Sequence, residues 1–327
     1  MMNKRDFLCG LTTVAAAAAY PRGAFAQAYP TRTIKIVVPF PPGGPTDTIA
    51  RLFAERLQAR LGQPVIVESR PGGAGGTVGA KSVAGSDPDG YTLLFALVGT
   101  LTIAPAIFPA SGYDPLKNFA PVAMAISGAQ VLTVHPSLPV KSVRELVDYA
   151  KANPGKVSFA SPGFGTQPHL LCELFKLDTG AQVVHVPYRG SAPAVTDLLA
   201  GQVQMTFDTL TTLIQHIEAG KLRALAVSTE KRISRLPDVP TVAEAGYPAL
   251  GAVLWGGFVA PAGTPAPVVA RLNEAINAEL RSDGMRASLA RFSFEPEIKS
   301  PQEFSDFVAA EVRKWADVVG KAGIKPQ

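Results

Sequence analysis

Residues 34–61 read Ile34-Lys35-Ile36-Val37-Val38, then Pro39-Phe40-Pro41-Pro42-Gly43-Gly44-Pro45-Thr46-Asp47, then a run from Thr48 to Leu61. The first five residues have the pattern of a buried strand. The next nine form a turn, because so many prolines and glycines suit no strand or helix interior. From Thr48 onward, apolar residues recur at Ile49, Leu52, Phe53, Leu57 and Leu61, a helical period. A strand, a turn and a helix in this order leave unpaired backbone N–H groups at the helix start, and these favour an anion. Glycines let a ligand approach the backbone. No Lys or Arg lies in the turn, so an anion there would be held by peptide dipoles. A tight turn that binds nothing fits the same residues equally well.

Outward from this stretch, strands and helices alternate. The pattern predicts strands at 34–38, 65–68, 92–97, 131–134, 157–160, 183–186, 205–207, 222–228 and 255–260. Helices are predicted at 143–152, 169–177, 192–200 and 213–219, with a helical region at 267–281 and 301–322. This alternation indicates an α/β fold with mainly parallel sheets. The series restarts near residues 131–139 and breaks again near 237–251. Two such crossings imply an inserted middle domain. One lobe is expected over 27–130 plus 249–327, the other over 131–248.

The N-terminus reads as a leader. Lys4 and Arg5 precede an apolar run from Phe7 to Ala19, and Ala24-Phe25-Ala26 is a cleavage signal that places the cut before Gln27. The run is too short to span a bilayer. Residues 1–26 are therefore expected to be a signal peptide, and the mature chain to be exported. Removing them takes away Lys4, Arg5, Arg22 and Asp6, so the formal charge falls from +5 to +3. No dense Lys/Arg cluster remains, which argues against nucleic acid as a partner. At 47% hydrophobic and 17% charged, the chain can bury a sizeable core and is not disordered. Of its two cysteines only Cys172 survives cleavage, so no internal disulfide can form; it lies in a helical stretch as a buried, inert thiol.

Catalytic motifs are missing. There is no G-x-S-x-G, H-E-x-x-H or C-x-x-C, and the histidines His135, His169, His185 and His216 lack a short metal-ligand spacing. The run Pro71-Gly72-Gly73-Ala74-Gly75-Gly76-Thr77-Val78-Gly79 misses the strict dinucleotide fingerprint, and the following strand ends in Val98-Gly99 rather than an acid for a ribose. More informative is a second strand–loop–helix. Ser161-Pro162-Gly163-Phe164-Gly165-Thr166-Gln167-Pro168 links a strand to a helix starting at His169. Its hydroxyls, amides and helix start suit an anion. Asp208 ends a third strand, where ligands gather in α/β sheets, and serves equally well as an N-cap. Arg189 is a carboxylate clamp or a solvated turn residue. The run 98–103 is apolar apart from two hydroxyls; as a cleft lining it leans towards an aromatic or apolar-bodied acid, and ordinary core packing fits it at least as well.

Taken together, these motifs resemble the Bug family, the periplasmic substrate-binding receptors of tripartite tricarboxylate transporters. The resemblance covers the mature chain. It rests on PFPPGGPTD at 39–47, RPGGAGGTVG at 70–79, DPDGYT at 87–92, ASPGFGTQPH at 160–169 and VPYRGSAPA at 186–194. It continues in AGKLRALAVS at 219–228, LPDVPTVAEAG at 236–246 and PAGTP at 261–265. It implies a type II periplasmic-binding-protein fold, two lobes with a hinge and a ligand in the cleft. No catalysis, cofactor or metal is implied. Carried over, Pro42, Gly43, Gly44 and Asp47 form a first-lobe clamp. Ser161, Gly163, Gly165, Thr166 and His169 form the second, and Asp208 sets ligand preference. Ser69 and Pro162 are small departures from the family pattern. The implied partners are a small carboxylate and the transporter's membrane subunits, with the receptor a monomer in the periplasm. A secreted α/β enzyme acting on a carboxylated substrate, and a periplasmic sensor subunit, are the alternatives.

Overall fold

In a computed structural model describing residues 29–325, β1 (Ile34–Val38) is buried along almost its whole length. The expected leader lies outside the described residues. The following helix, α1 (Pro45–Leu61), begins three residues earlier than the apolar period suggests. Proline fits the first helical position because its missing N–H would have no partner there. Ile49, Phe53, Leu57 and Leu61 face inward as expected. The Phe53 ring meets Phe258 edge-on at 5.2 Å, which pins the helix to the sheet.

The first unit continues through β2 (Val65–Ser69), α2 (Thr77–Ala84), β3 (Thr92–Leu97), α3 (Ala104–Ile107) and β4 (Phe119–Gly128). A second unit follows: β5 (Gln130–Val134), α4 (Val143–Ala152), β6 (Val157–Ser161), α5 (Gln167–Thr179), β7 (Val183–Pro187), α6 (Ser191–Leu199), β8 (Met205–Thr209), α7 (Leu210–Glu218) and β9 (Arg223–Val227). The chain then returns in β10 (Leu254–Pro261), α8 (Ala266–Leu280), α9 (Asp283–Ala290), β11 (Phe294–Pro296) and α10 (Pro301–Lys321). Strand order is β11-β4-β10-β3-β1-β2 in one sheet and β7-β6-β8-β5-β9 in the other. The chain passes between the sheets at Ala129 and again over residues 228–253.

The sheets are mixed rather than mainly parallel. β10 runs antiparallel to β3 and β4, β11 to β4, and β5 to both β8 and β9. The reason is topological. β5 and β10 each arrive straight from the other sheet, without the crossover helix a parallel neighbour needs. β4 itself carries no strand signal, because Pro121 interrupts its run. The ladder absorbs that proline at an irregularity, where Pro121 faces Val259 just past a register shift.

One buried cluster runs from Leu94 and Val259 of the first sheet to Phe159 and Phe175 of the second unit. The C-terminal helix α10 packs on β4 and also reaches α5. Its Glu311 accepts hydrogen bonds from the indole N–H of Trp255 and of Trp315, each 3.0 Å from the same oxygen. One turn on, Lys314 donates to the Gly251 carbonyl at the end of the second crossing. Among the described residues no helix is long and apolar enough to cross a membrane.

Candidate functional site

The opening turn is held by Asp47. Its carboxylate accepts from the Gly43 amide at 3.0 Å, from Arg51 at 2.8 and 3.0 Å, and from the Ser69 hydroxyl at 3.1 Å. The Arg51 bond, helped by Gly43 and Ser69, holds this carboxyl below the usual carboxylate range against the opposing effect of burial. Asp47 thus ties the turn together and has no free face for an anion. Pro42 and Gly43 are exposed, and Gly44 opens α1 without a side-chain cap. Gly43 has φ +81, and a Cβ placed there would meet nothing within 4 Å. The space beside its Cα is open, while its amide is taken by Asp47. The glycine-rich run beside it serves packing: a Cβ at Gly76 or Gly79 would lie 2.7 or 2.8 Å from the Pro39 Cβ.

The second loop is more inwardly bonded. The buried Ser161 hydroxyl lies 2.6 Å from His185 Nε2, and the Gly163 amide donates to it at 3.3 Å. Thr166 donates to the Gly163 carbonyl at 2.7 Å and accepts from the His169 amide at 3.4 Å, capping α5. The Gly165 amide donates to His169 Nδ1 at 3.1 Å, while the half-exposed Phe164 ring covers His169 at 4.7 Å. Burial, more than the neighbouring His185 and Lys176, pushes the His169 pKa down to about 3. Burial lowers His185 as well. The ring is therefore neutral at ordinary pH and accepts at Nδ1. His185 anchors this loop although nothing local in the sequence marks it. Its signal is the parallel register that sets Ser161 opposite Pro187 and Phe159 opposite His185 on adjacent strands.

His169, Glu173 and His185 bring ligand-type atoms within 4.8 Å of one another. The two imidazoles stack with planes 24° apart, so their in-plane lone pairs run side by side instead of converging. Glu173 is also paired with Lys176 at 2.7 Å. This trio is a poor match for the convergent geometry of a shared ion. Burial pushes the Cys172 thiol up, consistent with an inert side chain.

Between the two sheets lies a cavity of about 220 Å³. Pro45, Thr46 and Ile49 of α1 line it, with Leu97, Ile126, Leu254 and Phe294 from the same sheet's side. Ser191, Thr209, Thr211 and Thr212 close it from the other unit. No lining side chain is ionisable. The starts of α1, α6 and α7 all reach this cavity, and none has a side-chain cap; α2, α3 and α8 also start uncapped, whereas α4, α5, α9 and α10 are capped by Ser142, Thr166, Ser282 and Ser300. Uncapped starts leave N–H groups available to whatever fills the space; the first amide of α7, Leu210, is already taken by the Ala129 carbonyl at 2.9 Å. Across the gap the Thr211 hydroxyl donates to the Phe292 carbonyl at 2.5 Å.

Asp208 sits behind this wall, 2% exposed. Its Oδ1 accepts from the Thr209 amide at 2.7 Å and its Oδ2 has no partner. Burial raises its pKa above the carboxylate range, against smaller opposing effects from Thr209 and Ser191. It is not the N-cap of α7, a position Thr209 takes. None of the expected first-loop residues Pro42, Gly43, Gly44 and Asp47 lines the cavity; their neighbours Pro45 and Thr46 do. Asp208 is adjacent to it through Thr209. The residues at 161–169 form their own network, with Gly165 close to Ile107 and Phe108. The hydroxyls of Thr100 and Thr102 bond the Gly75 and Val98 carbonyls, and no residue of 98–103 lines the cavity; Leu97 just before the run does. Sequence reasoning passed over Ser191, Thr211, Thr212, Leu254 and Phe294. The first three were legible as residues at helix starts after strand ends.

A larger groove of about 540 Å³ lies by residues 229–234 and 295–299. Three of its six charged residues are engaged, Glu297 with Ser127 at 2.8 Å and Lys299 at 3.7 Å, and Arg232 with Glu244 at 2.9 Å.

Comparison with known proteins places these features in context. Residues 49–324 match the family model described as the tripartite tricarboxylate transporter family receptor. Protein BugT of Bordetella pertussis is 40% identical over 325 residues, 99% of each chain. An R. palustris protein solved with adipate is 39% identical with a TM-score of 0.79, over 91% of this chain and 100% of that one. The periplasmic binding protein BugD is 37% identical with a TM-score of 0.75, again over 91% and 100%.

Proposed function

The chain belongs to the tripartite tricarboxylate transporter family of receptors, and from that premise we propose that it captures a small carboxylate in the cavity between its two sheets. Periplasmic solute binding for such a transporter is the function this family membership gives it. The observation that carries the cavity reading is the meeting of three uncapped helix starts in a space without any charged lining residue. Peptide N–H groups and hydroxyls can bind a carboxylate strongly when water is excluded. The adipate in the R. palustris relative is an anion of this class.

We read the lobes as residues 27–130 plus 249–327 and residues 131–248, joined where the chain passes between sheets. The turn with Pro42, Gly43, Gly44 and Asp47 supports one side of the cleft. The network of Ser161, Gly163, Gly165, Thr166 and His169 supports the other, with Asp208 near the ligand. The leader points to release into the periplasm as a monomer that returns its ligand unchanged to the membrane subunits.

A thermal-shift screen of organic acids tests this. A true ligand at about 100 times its dissociation constant adds roughly 2.7 kcal/mol to stability. At least one small carboxylate should raise the melting temperature and be recovered intact after hours of incubation. No shift with any acid, or steady product formation, would sink the reading.

A further inference from the structure

A chain of buried amides lies where the polypeptide passes between its two sheets. Gln167 Nε2 donates to the Val253 carbonyl at 2.9 Å, and Gln130 Nε2 donates to Gln167 Oε1 at 2.8 Å. Gln130 is 0% exposed and Gln167 4%. The three residues come from three separate places. Gln130 opens β5 directly after the first passage, Val253 ends the second just before β10, and Gln167 is the first residue of α5. Backbone bonds draw the same place together. The Gln130 amide donates to the Ser228 hydroxyl at 3.0 Å, the Ser228 amide to the Gln130 carbonyl at 2.9 Å, and the Ala252 amide to the Ser228 carbonyl at 3.2 Å. Both passages are thereby joined at one node, and Gln167 adds a helix start to it.

The direction of this chain follows from its last acceptor. A carbonyl can only accept, so Val253 requires the NH2 of Gln167. Oε1 of Gln167 is then left facing Gln130, which must present its own NH2. Gln130 Oε1 ends the chain with no protein partner. Leucine or methionine would fill both positions without a polar group to satisfy. Two glutamines are a poor filling for a core and an effective way to fix a helix start in position.

We infer that Gln167 is a positioning residue for ligand capture. It moors the start of α5 to both passages, so the loop at residues 161–166, closed by Thr166, moves with the connection between the units rather than independently of it. Gln167 does not line the cavity between the sheets, so it acts on a ligand only through that loop. The inference rests on reading residues 131–248 as a lobe that swings about the two passages, and it names the side chain that carries the swing to the loop.

Spin labels on Ile66→Cys and Val184→Cys test this in the mature chain without any ligand. Both residues are exposed and lie on edge strands, β2 of one sheet and β7 of the other, while Cys172 is buried. Gln167→Met cuts both bonds of the chain and should broaden or displace the distribution of label distances. Gln130→Met cuts one bond and should do so less. The double variant should match Gln167→Met alone, because the chain is already broken. Hydrogen exchange supplies a readout that packing alone would not move. In Gln130→Met, a change outside α5 and its loop, the Gly165 and His169 amides should exchange faster. Should Gln167→Met fail to melt cooperatively, Gln130→Met carries both readouts. In cooperatively melting variants, an unchanged distance distribution or unchanged exchange at those two amides would overturn the inference. Effects that simply add in the double variant would overturn it too, since two independent contacts behave that way. Thr211→Val, which cuts the bond to Phe292 across the gap, separates the inference from the lobe reading. If it broadens the distribution and the glutamine variants do not, this inference alone fails. If none of them does, the units do not swing and both fail.

Discussion

The imidazoles of His169 and His185 stack with ring centroids 4.3 Å apart, and each holds one side of the same loop. His169 receives the Gly165 amide and His185 shares a short bond with Ser161. Glu173 and Lys176 are the charged groups nearest the pair. A loop pinned at both sides by neutral rings is well ordered before a ligand arrives, and its order depends on the rings staying neutral.

Stability should therefore fall with acid through this pair. The folded-state pKa of His169 is depressed to about 3, while the unfolded value is near 6.5. Its contribution is fully present above about pH 6.5 and is lost progressively as pH drops towards 3, because the unfolded chain takes up the proton first. Urea unfolding of His169→Gln across this window should show a shallower pH slope than the parent. An unchanged slope would place the acid sensitivity elsewhere.

Asp208 carries the opposite sign. Its folded-state pKa is raised, so its contribution is most favourable below about pH 4 and worsens as pH rises through the folded value. Asp208→Asn should raise stability at neutral pH by about 1–3 kcal/mol, since a buried unpaired carboxylate is removed. The gain should shrink below pH 4. Thermal melts at pH 7.5 and 3.5 would reveal it, and a loss at both would contradict the burial argument.

Gly79→Ala should destabilise by about 1–3 kcal/mol through overpacking against Pro39. Gly85→Ala, where the nearest atom to the new Cβ is 3.8 Å away, should be close to neutral. Denaturant midpoints compare the two. Equal midpoints would reopen the question of what the glycine-rich run is for.

Peptide groups, not an arginine, should hold the anion. Gly43→Val places a branched side chain in the open space above the turn, at φ +81, and should weaken ligand binding about tenfold or more. The exposed Arg189, replaced by alanine, should change affinity by less than about threefold, near 0.6 kcal/mol. Calorimetry on folded variants distinguishes a peptide cradle from a charge clamp; the reverse order would favour the clamp.

Ligand should also draw the two units together. The Thr211–Phe292 bond already crosses the gap. Small-angle scattering should give a smaller radius of gyration on saturation, and Thr211→Val should enlarge the unliganded radius. Identical curves with and without ligand would argue against a hinge.

Much of this architecture was legible from local pattern. The strand–turn–helix at residues 34–61, the restart after 130 and the return near 250 are strong periodic signals, and the two sheets follow from them. Strand direction was not legible. β5 and β10 look like any buried strand, and their antiparallel sense comes from arriving without a crossover helix. β4 was hidden by Pro121 and β11 by its length of three residues. At the site, glycines and hydroxyls advertised the loops. Nothing local revealed that Asp47 is fully engaged by Arg51 and Ser69, or that Phe294 rests over Gly128. Those are consequences of strand pairing across large sequence distances.

The chain has two tryptophans, and both donate to one oxygen of Glu311. Its ultraviolet emission is thus a single-point gauge, seated where the C-terminal helix grips the strand that completes the second passage. Any strain reaching that joint must alter the polarity felt by two indoles at once. Tryptophan emission recorded with and without ligand therefore tests, without a label, whether ligand moves that joint. Glu311→Gln, by weakening both bonds together, would supply its zero.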